Sequence, residues 1–161
     1  MSGKSNTRLG LAGALAGMLF AVAAQAAPTP LYPAVGEAAA DIAAAQKQAA
    51  IEHKRVLIDF GGNWCGDCKA LDANFHKQNN AALLASSYVV VHVNVGDDGI
   101  DENFDIAKRY GIPLKKGVPA LAVIEPDGTV VYAQRNGEFE SMRRMDPASV
   151  NQFLNQWKAG S

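Results

Sequence analysis

Beyond residue 35 the chain alternates between Ala-rich or amphipathic stretches and short β-branched runs. Residues 36–54 are rich in alanine, with Asp41, Gln46, Lys47 and Gln48 interspersed, which predicts a helix. Residues 55–60 form a short apolar run with Val56 and Ile58, a strand broken by Gly61-Gly62-Asn63. A helical stretch follows from about Cys68 to His76, then a short Ala/Leu-rich turn over 81–86. Residues 88–95 are strongly β-branched and predict a buried strand, 96–101 a polar loop, and 102–110 a helix stopped by Gly111. Residues 120–124 read as a strand, Pro126-Asp127-Gly128 as a turn, and 129–133 as the returning strand of a hairpin. Residues 135–146 are irregular, and a last helix starts near Pro147 and ends about Lys158. The order α, β, α, β, α, β, β, α implies a partly parallel sheet covered on both faces, an α/β sandwich.

Composition adds one domain and one appendage. The 161 residues are 48% apolar and 19% charged, enough for a core, and the formal net charge is -1. No basic tract or face stands out, so nucleic acid is not an expected partner. The first 26 residues differ in kind: Lys4 and Arg8, an apolar or small run over 9–24, then Ala24-Gln25-Ala26. These read as a secretory signal peptide cleaved after Ala26, since the run is short for a membrane span; an uncleaved anchor is the alternative. The expected mature domain is 27–161, opening on a flexible lead-in over 27–32 that contains two prolines. Export would place it in a periplasm-type compartment, where disulfides persist.

The candidate chemistry is Trp64-Cys65-Gly66-Asp67-Cys68-Lys69, after a strand and opening a helix. Cys65 and Cys68 are the only cysteines. A loop this short makes a poor structural staple, because disulfide stabilisation grows with loop length. At a helix N-terminus the unpaired N–H groups and the dipole favour an anion, which suits Cys65 as the nucleophile. Cys68 comes up one turn later on the same face and can attack a mixed disulfide formed on Cys65. Gly66 keeps the space between the sulfurs small. A carboxylate at Asp67 repels a sulfur anion, which biases the couple toward reducing.

Leu57-Ile58-Asp59-Phe60, followed after three residues by Trp64-Cys65-Gly66-Asp67-Cys68-Lys69, closely resembles the thioredoxin superfamily. Ile106-Ala107-Lys108-Arg109-Tyr110-Gly111-Ile112 is similar to its third-helix ending, and Gly117-Val118-Pro119 to its cis-proline segment. The resemblance runs from about Val56 to Leu154. It implies a thioredoxin-like three-layer α/β/α sandwich with a mixed four- to five-stranded sheet, and a thiol–disulfide oxidoreductase of the exported type. It implies catalytic roles for Cys65, Cys68 and Asp59, with Asp59 accepting the Cys68 proton. It also implies that Trp64, Gly66, Asp67, Val118 and Pro119 meet the substrate. A cis bond at Pro119 would turn the Val118 backbone toward an extended client segment. The chain departs from the family at Asp67, where proline is commonest, in two or three extra residues before Gly117, and in a longer stretch before Asp146.

Other residues carry plainer readings beside the functional ones. Asp59 could be a strand-end residue reaching solvent, and Trp64 mere packing. His92 falls where the family often has a buried lysine near its acid; a core or edge histidine reads equally well. His53 and His76 look like surface residues. One cysteine pair and scattered histidines do not make a structural zinc site, although two thiolates could hold copper(I). Met142 and Met145 read as apolar contacts. No organic cofactor and no metal are expected. The expected partners are protein disulfides or thiols, and the family resemblance implies a membrane thiol-electron transporter as donor, or an oxidant if the enzyme runs the other way. The loop over 136–145 is expected to help select the client, with a solvated loop as the plain alternative. A binding module, such as a copper chaperone or assembly factor on the same fold, is the alternative function.

Overall fold

The computed structural model describes residues 29–160, together with Met1 and Gly3. Those two positions apart, the signal segment read over 1–26 lies outside the described residues. Four strands, β1 (Arg55–Gly61), β2 (Tyr88–Asn94), β3 (Ala120–Ile124) and β4 (Val130–Ala133), form one sheet in the order β2-β1-β3-β4. β1 runs parallel to β2 and antiparallel to β3, and β3 and β4 form the antiparallel hairpin. The sheet is mixed, as the order of elements predicts. Beside β1, the 88–95 run is an edge strand rather than a buried one, with Val89, Val90 and His92 half-exposed.

Among the described residues five α-helices cover the sheet: α1 (Ala38–Glu52), α2 (Gly66–Phe75), α3 (Gln78–Ser87), α4 (Phe104–Arg109) and α5 (Ala148–Trp157). One core packs Ala38, Ile42, Ala45 and Ala49 of α1 and Ile106 of α4 against Val56, Ile58 and Phe60. The second packs Leu71 and Phe75 of α2 and Val150, Phe153 and Leu154 of α5 against Leu57, Leu121 and Val123. Alternation along β1 therefore feeds both layers, and burial of these side chains drives the sandwich together.

Three departures from the sequence reading bear on the site and its surroundings. α2 opens at Gly66, two residues early, because Gly66 and Asp67 carry no apolar signal, yet an acidic first turn suits a helix N-terminus. The 81–86 turn is part of the ten-residue α3. Asn79 and Asn80 are weak helix formers, but Asn80 is buried and bonded to Asn74 O and Asn151 Nδ2, so tertiary contacts hold the first turn. Finally, Tyr32 is not part of a loose lead-in. It is fully buried in the first core, and its backbone N–H and C=O both bond the Asn63 side chain. Among the described residues, no helix is long and apolar enough to cross a membrane.

Candidate active site

Cys65 is the N-cap of α2, in extended conformation, and its Sγ accepts the backbone N–H of Cys68 at 3.1 Å. The two cysteines are joined as a disulfide with their Cα atoms 5.2 Å apart, inside the range a bridge requires. Cys65 is 6% exposed and Cys68 is fully buried, so only the first sulfur can be reached from outside. Cys65 Sγ lies 3.7 Å from Val118 O, and the Val118–Pro119 peptide bond is cis. Val118 and Pro119 are themselves buried. Gln134 fixes this segment from behind: its buried amide accepts from Leu121 N and donates to Pro119 O. The sequence gives no hint of this, because the polar residue follows the end of β4 where a loop would be polar anyway.

Trp64 stands at the rim, 39% exposed, with its indole N–H donating to Gly96 O at 2.9 Å. That bond orients the ring beside the cysteines. Gly61 and Gly62 are more than strand breakers. A Cβ on Gly62 would run into the Trp64 indole; one on Gly61 would run into Tyr32 Oη and lie 2.8 Å from Cys68 Sγ. The hydroxyl of Tyr32 and the buried sulfur thus share the small space over Gly61.

Behind them lies Asp59, fully buried at the centre of the sheet. Its Oδ2 accepts from Tyr32 Oη at 2.8 Å and meets His92 Nδ1 at 3.0 Å. Parallel register sets Asp59 directly beside His92, so β1 and β2 bring the two side chains together. Oδ1 has no hydrogen-bond partner among the described residues. The environment acts on both neighbours. Burial, and then the Asp59 carboxylate, push the Tyr32 hydroxyl well above the ordinary phenol range, so it stays protonated. For His92 burial works against the charged ring, but the hydrogen bond and charge of Asp59, with Asp72 further off, outweigh it and raise its pKa. The histidine that the sequence left between two readings is therefore the neighbour of the acid. His53 and His76 are exposed.

The carboxylate of Asp67 is not a free charge. Arg143 donates its backbone N–H to Oδ1 at 2.8 Å and its Nη2 to Oδ2 at 2.9 Å. The side-chain hydrogen bond from Arg143 leads in holding the Asp67 carboxyl below its ordinary range, so the group is an ion-paired carboxylate. The guanidinium of Arg143 also lies over Gly66, 3.3 Å from where a Cβ would be. The loop that carries it is docked rather than solvated. Phe139 and Met142 are buried in the second core, and Met145 packs against that core. Gly117 and Gly137 have positive φ and pack against Glu140, so the loop lies along the segment leading to Pro119. Among the described residues no group of three or more His, Cys, Asp or Glu side chains could hold a metal ion.

Comparison with known proteins agrees with this arrangement. Residues 37–126 match the model of a family described as thioredoxin-like. A crystal structure of a disulphide isomerase from Xylella fastidiosa Temecula1 superposes with a TM-score of 0.74 at 34% identity, covering 81% of this chain and 98% of that one. The thiol:disulfide interchange protein DsbD of Pseudomonas fluorescens is 28% identical over 78% of this chain. A protein disulfide-isomerase of Ricinus communis is 25% identical over 66%. Both are much longer proteins, of which the chain spans 18% and 23% respectively.

Proposed function

The chain belongs to the thioredoxin-like family and carries a thiol–disulfide redox centre, and from that premise we propose that it exchanges disulfides with protein substrates on the reductase or isomerase side. The observation that carries this is the Cys65–Cys68 disulfide at the start of α2, with Cys65 slightly exposed and Cys68 sealed behind it.

In the reducing direction Cys65 attacks as the thiolate, held at the N-terminus of α2 by the Cys68 N–H. It forms a mixed disulfide with one client sulfur and expels the other as a thiolate. Cys68 then attacks Cys65 Sγ. The Cys65–Cys68 bond forms, the Cys65–client bond breaks, and the client leaves reduced while the enzyme pair is oxidised. Asp59 takes the proton that Cys68 loses. Trp64, the Gly66-Asp67 turn and the Val118-Pro119 segment form the docking edge, where an extended client strand bonds the Val118 backbone. The isomerase-side reading draws on the Xylella disulphide isomerase, which this chain matches along nearly all of that protein's length.

An exported location, with cleavage after Ala26, follows from the N-terminal pattern. A membrane thiol-electron transporter is then the donor that returns the pair to its dithiol form. Two measurements test the direction: insulin reduction with dithiothreitol, and the potential of the Cys65–Cys68 couple in glutathione buffer. The protein should reduce insulin faster than it oxidises a reduced unfolded chain, and its couple should be more reducing than that of Asp67→His. A couple near about -120 mV, where a dedicated disulfide donor lies, would contradict the reading.

A further inference from the structure

Resolution by Cys68 needs a proton to leave a sulfur that no solvent reaches, and the acid that receives it is equally buried. We propose that Tyr32, Asp59 and His92 form a proton path from Cys68 to the surface, with Tyr32 and His92 as positioning residues for the resolving step. The proposal rests on the reading of Cys65 and Cys68 as attacking and resolving thiols. It extends that reading to a residue ahead of α1 and to one on the sheet edge.

The geometry sets Cys68 beside Tyr32 and supplies the hydrogen bonds from Tyr32 onward. Tyr32 Oη and Cys68 Sγ face the same space over Gly61, where even a methyl group would not fit. Tyr32 donates to Asp59 Oδ2, so its hydroxyl can accept from the sulfur while passing its own proton on. The burial that keeps it protonated makes it a bridge and not a base. The proton arrives on Asp59 Oδ2, the oxygen that accepts from Tyr32, while Oδ1 has no partner among the described residues. His92 touches the same carboxylate through Nδ1, and its ring packs edge-on against Tyr32 at 5.2 Å. With its side chain 21% exposed, it is the member of the chain that reaches solvent.

The proton count closes. As Cys68 attacks, its proton passes through Tyr32 to Asp59, and His92, as imidazolium, releases one from Nε2 to solvent. The Asp59–His92 pair thus carries the same net charge before and after, and no uncompensated charge is left in the core. When the Cys65–Cys68 disulfide is reduced again, Asp59 returns a proton to Cys68 and His92 takes one from solvent. The groups facing His92 are Asp59 from β1, Tyr32 from the lead-in, Asp72 and His76 from α2 and its end, and Asp41 from α1. Asp59 in contact and Asp72 further off favour an imidazolium that is easily regained.

The test follows resolution directly. The reduced protein is mixed with a chromogenic aromatic disulfide, quenched at intervals, and the mixed disulfide on Cys65 is quantified by mass between pH 6 and 8. Tyr32→Phe keeps the ring and removes the hydroxyl; His92→Gln keeps a hydrogen-bond donor and removes the titration. Both should slow resolution by about tenfold or more, at or below the range of positioned proton transfer. Alkylation of Cys65 by iodoacetamide should not change. The parent rate should vary little with pH, whereas Tyr32→Phe should rise almost tenfold per unit as hydroxide takes over. His92→Lys, which restores a cation, should recover part of the rate, and circular dichroism identifies any variant that fails to fold. If Asp59→Asn slows resolution while Tyr32→Phe and His92→Gln match the parent in rate and pH profile, the path is wrong and the role of Asp59 stands. If Tyr32→Phe alone is slow, the exit through His92 is wrong. Failure of the underlying reading looks different: no mixed disulfide forms on Cys65 in the parent.

Discussion

An unpaired carboxylate between two cysteines would repel the sulfur anion that reduction creates; the paired Arg143 cation opposes that repulsion. Removing the arginine therefore isolates the effect of Asp67. Arg143→Ala should make the couple more reducing, by no more than about 30 mV, the equivalent of about one pKa unit in the attacking thiol. The side chain of Arg143 is 67% exposed, so salt should shrink the difference. Equal potentials at low ionic strength would show that this pair does not tune the couple. His92 offers a second measurement. Its pKa is raised on folding, so its contribution to stability is full below the ordinary imidazole pKa of about 6.5 and is lost as pH rises through the folded value. Urea unfolding of parent and His92→Gln should differ more at pH 5.5 than at pH 9; a gap that widens with pH would reverse the assignment. Cys65, Cys68, Trp64 and Asp59 could be picked out from the sequence because they cluster within ten positions of one motif. Tyr32 and Arg143 could not. Each meets the motif across a long sequence separation, and nothing in Pro-Leu-Tyr or Met-Arg-Arg marks a partner.

At the scale of elements, the docked loop between β4 and α5 is the part of the site most open to perturbation. Gly137 has φ +71°, and a Cβ there would lie 2.6 Å from the Lys116 carbonyl and 3.0 Å from Glu140. Gly137→Ala should cost about 1–3 kcal/mol, the range for a side chain forced into that conformation. It should lower the urea midpoint without changing the slope, and an unchanged midpoint would mean that the loop is not held against the Lys116 turn. The strands and most helices were legible because β-branched runs and Ala-rich stretches carry their period locally. α3 was not, because its first turn depends on Asn80 reaching Asn74 and Asn151. The stretch over 135–146 has no strand or α-helix but holds a short 3-10 turn, Met142–Arg144, and its docking depends on Phe139 and Met142 finding a core formed by distant elements.

For the whole molecule, the sheet order puts β1 between β2 and β3, and that placement organises the site. The end of β1 feeds the cysteine motif, its register with β2 delivers His92 to Asp59, and β3 begins beside Pro119. Asymmetric burial of the two cysteines follows, and with it the proposed order of attack. The most direct measurement is trapping by mass with a disulfide-bonded client. Cys68→Ser should accumulate a mixed disulfide through Cys65, because the resolving thiol is gone, and Cys65→Ser should accumulate almost none. A Cys65→Ser variant that traps the client through Cys68 as readily would contradict the account.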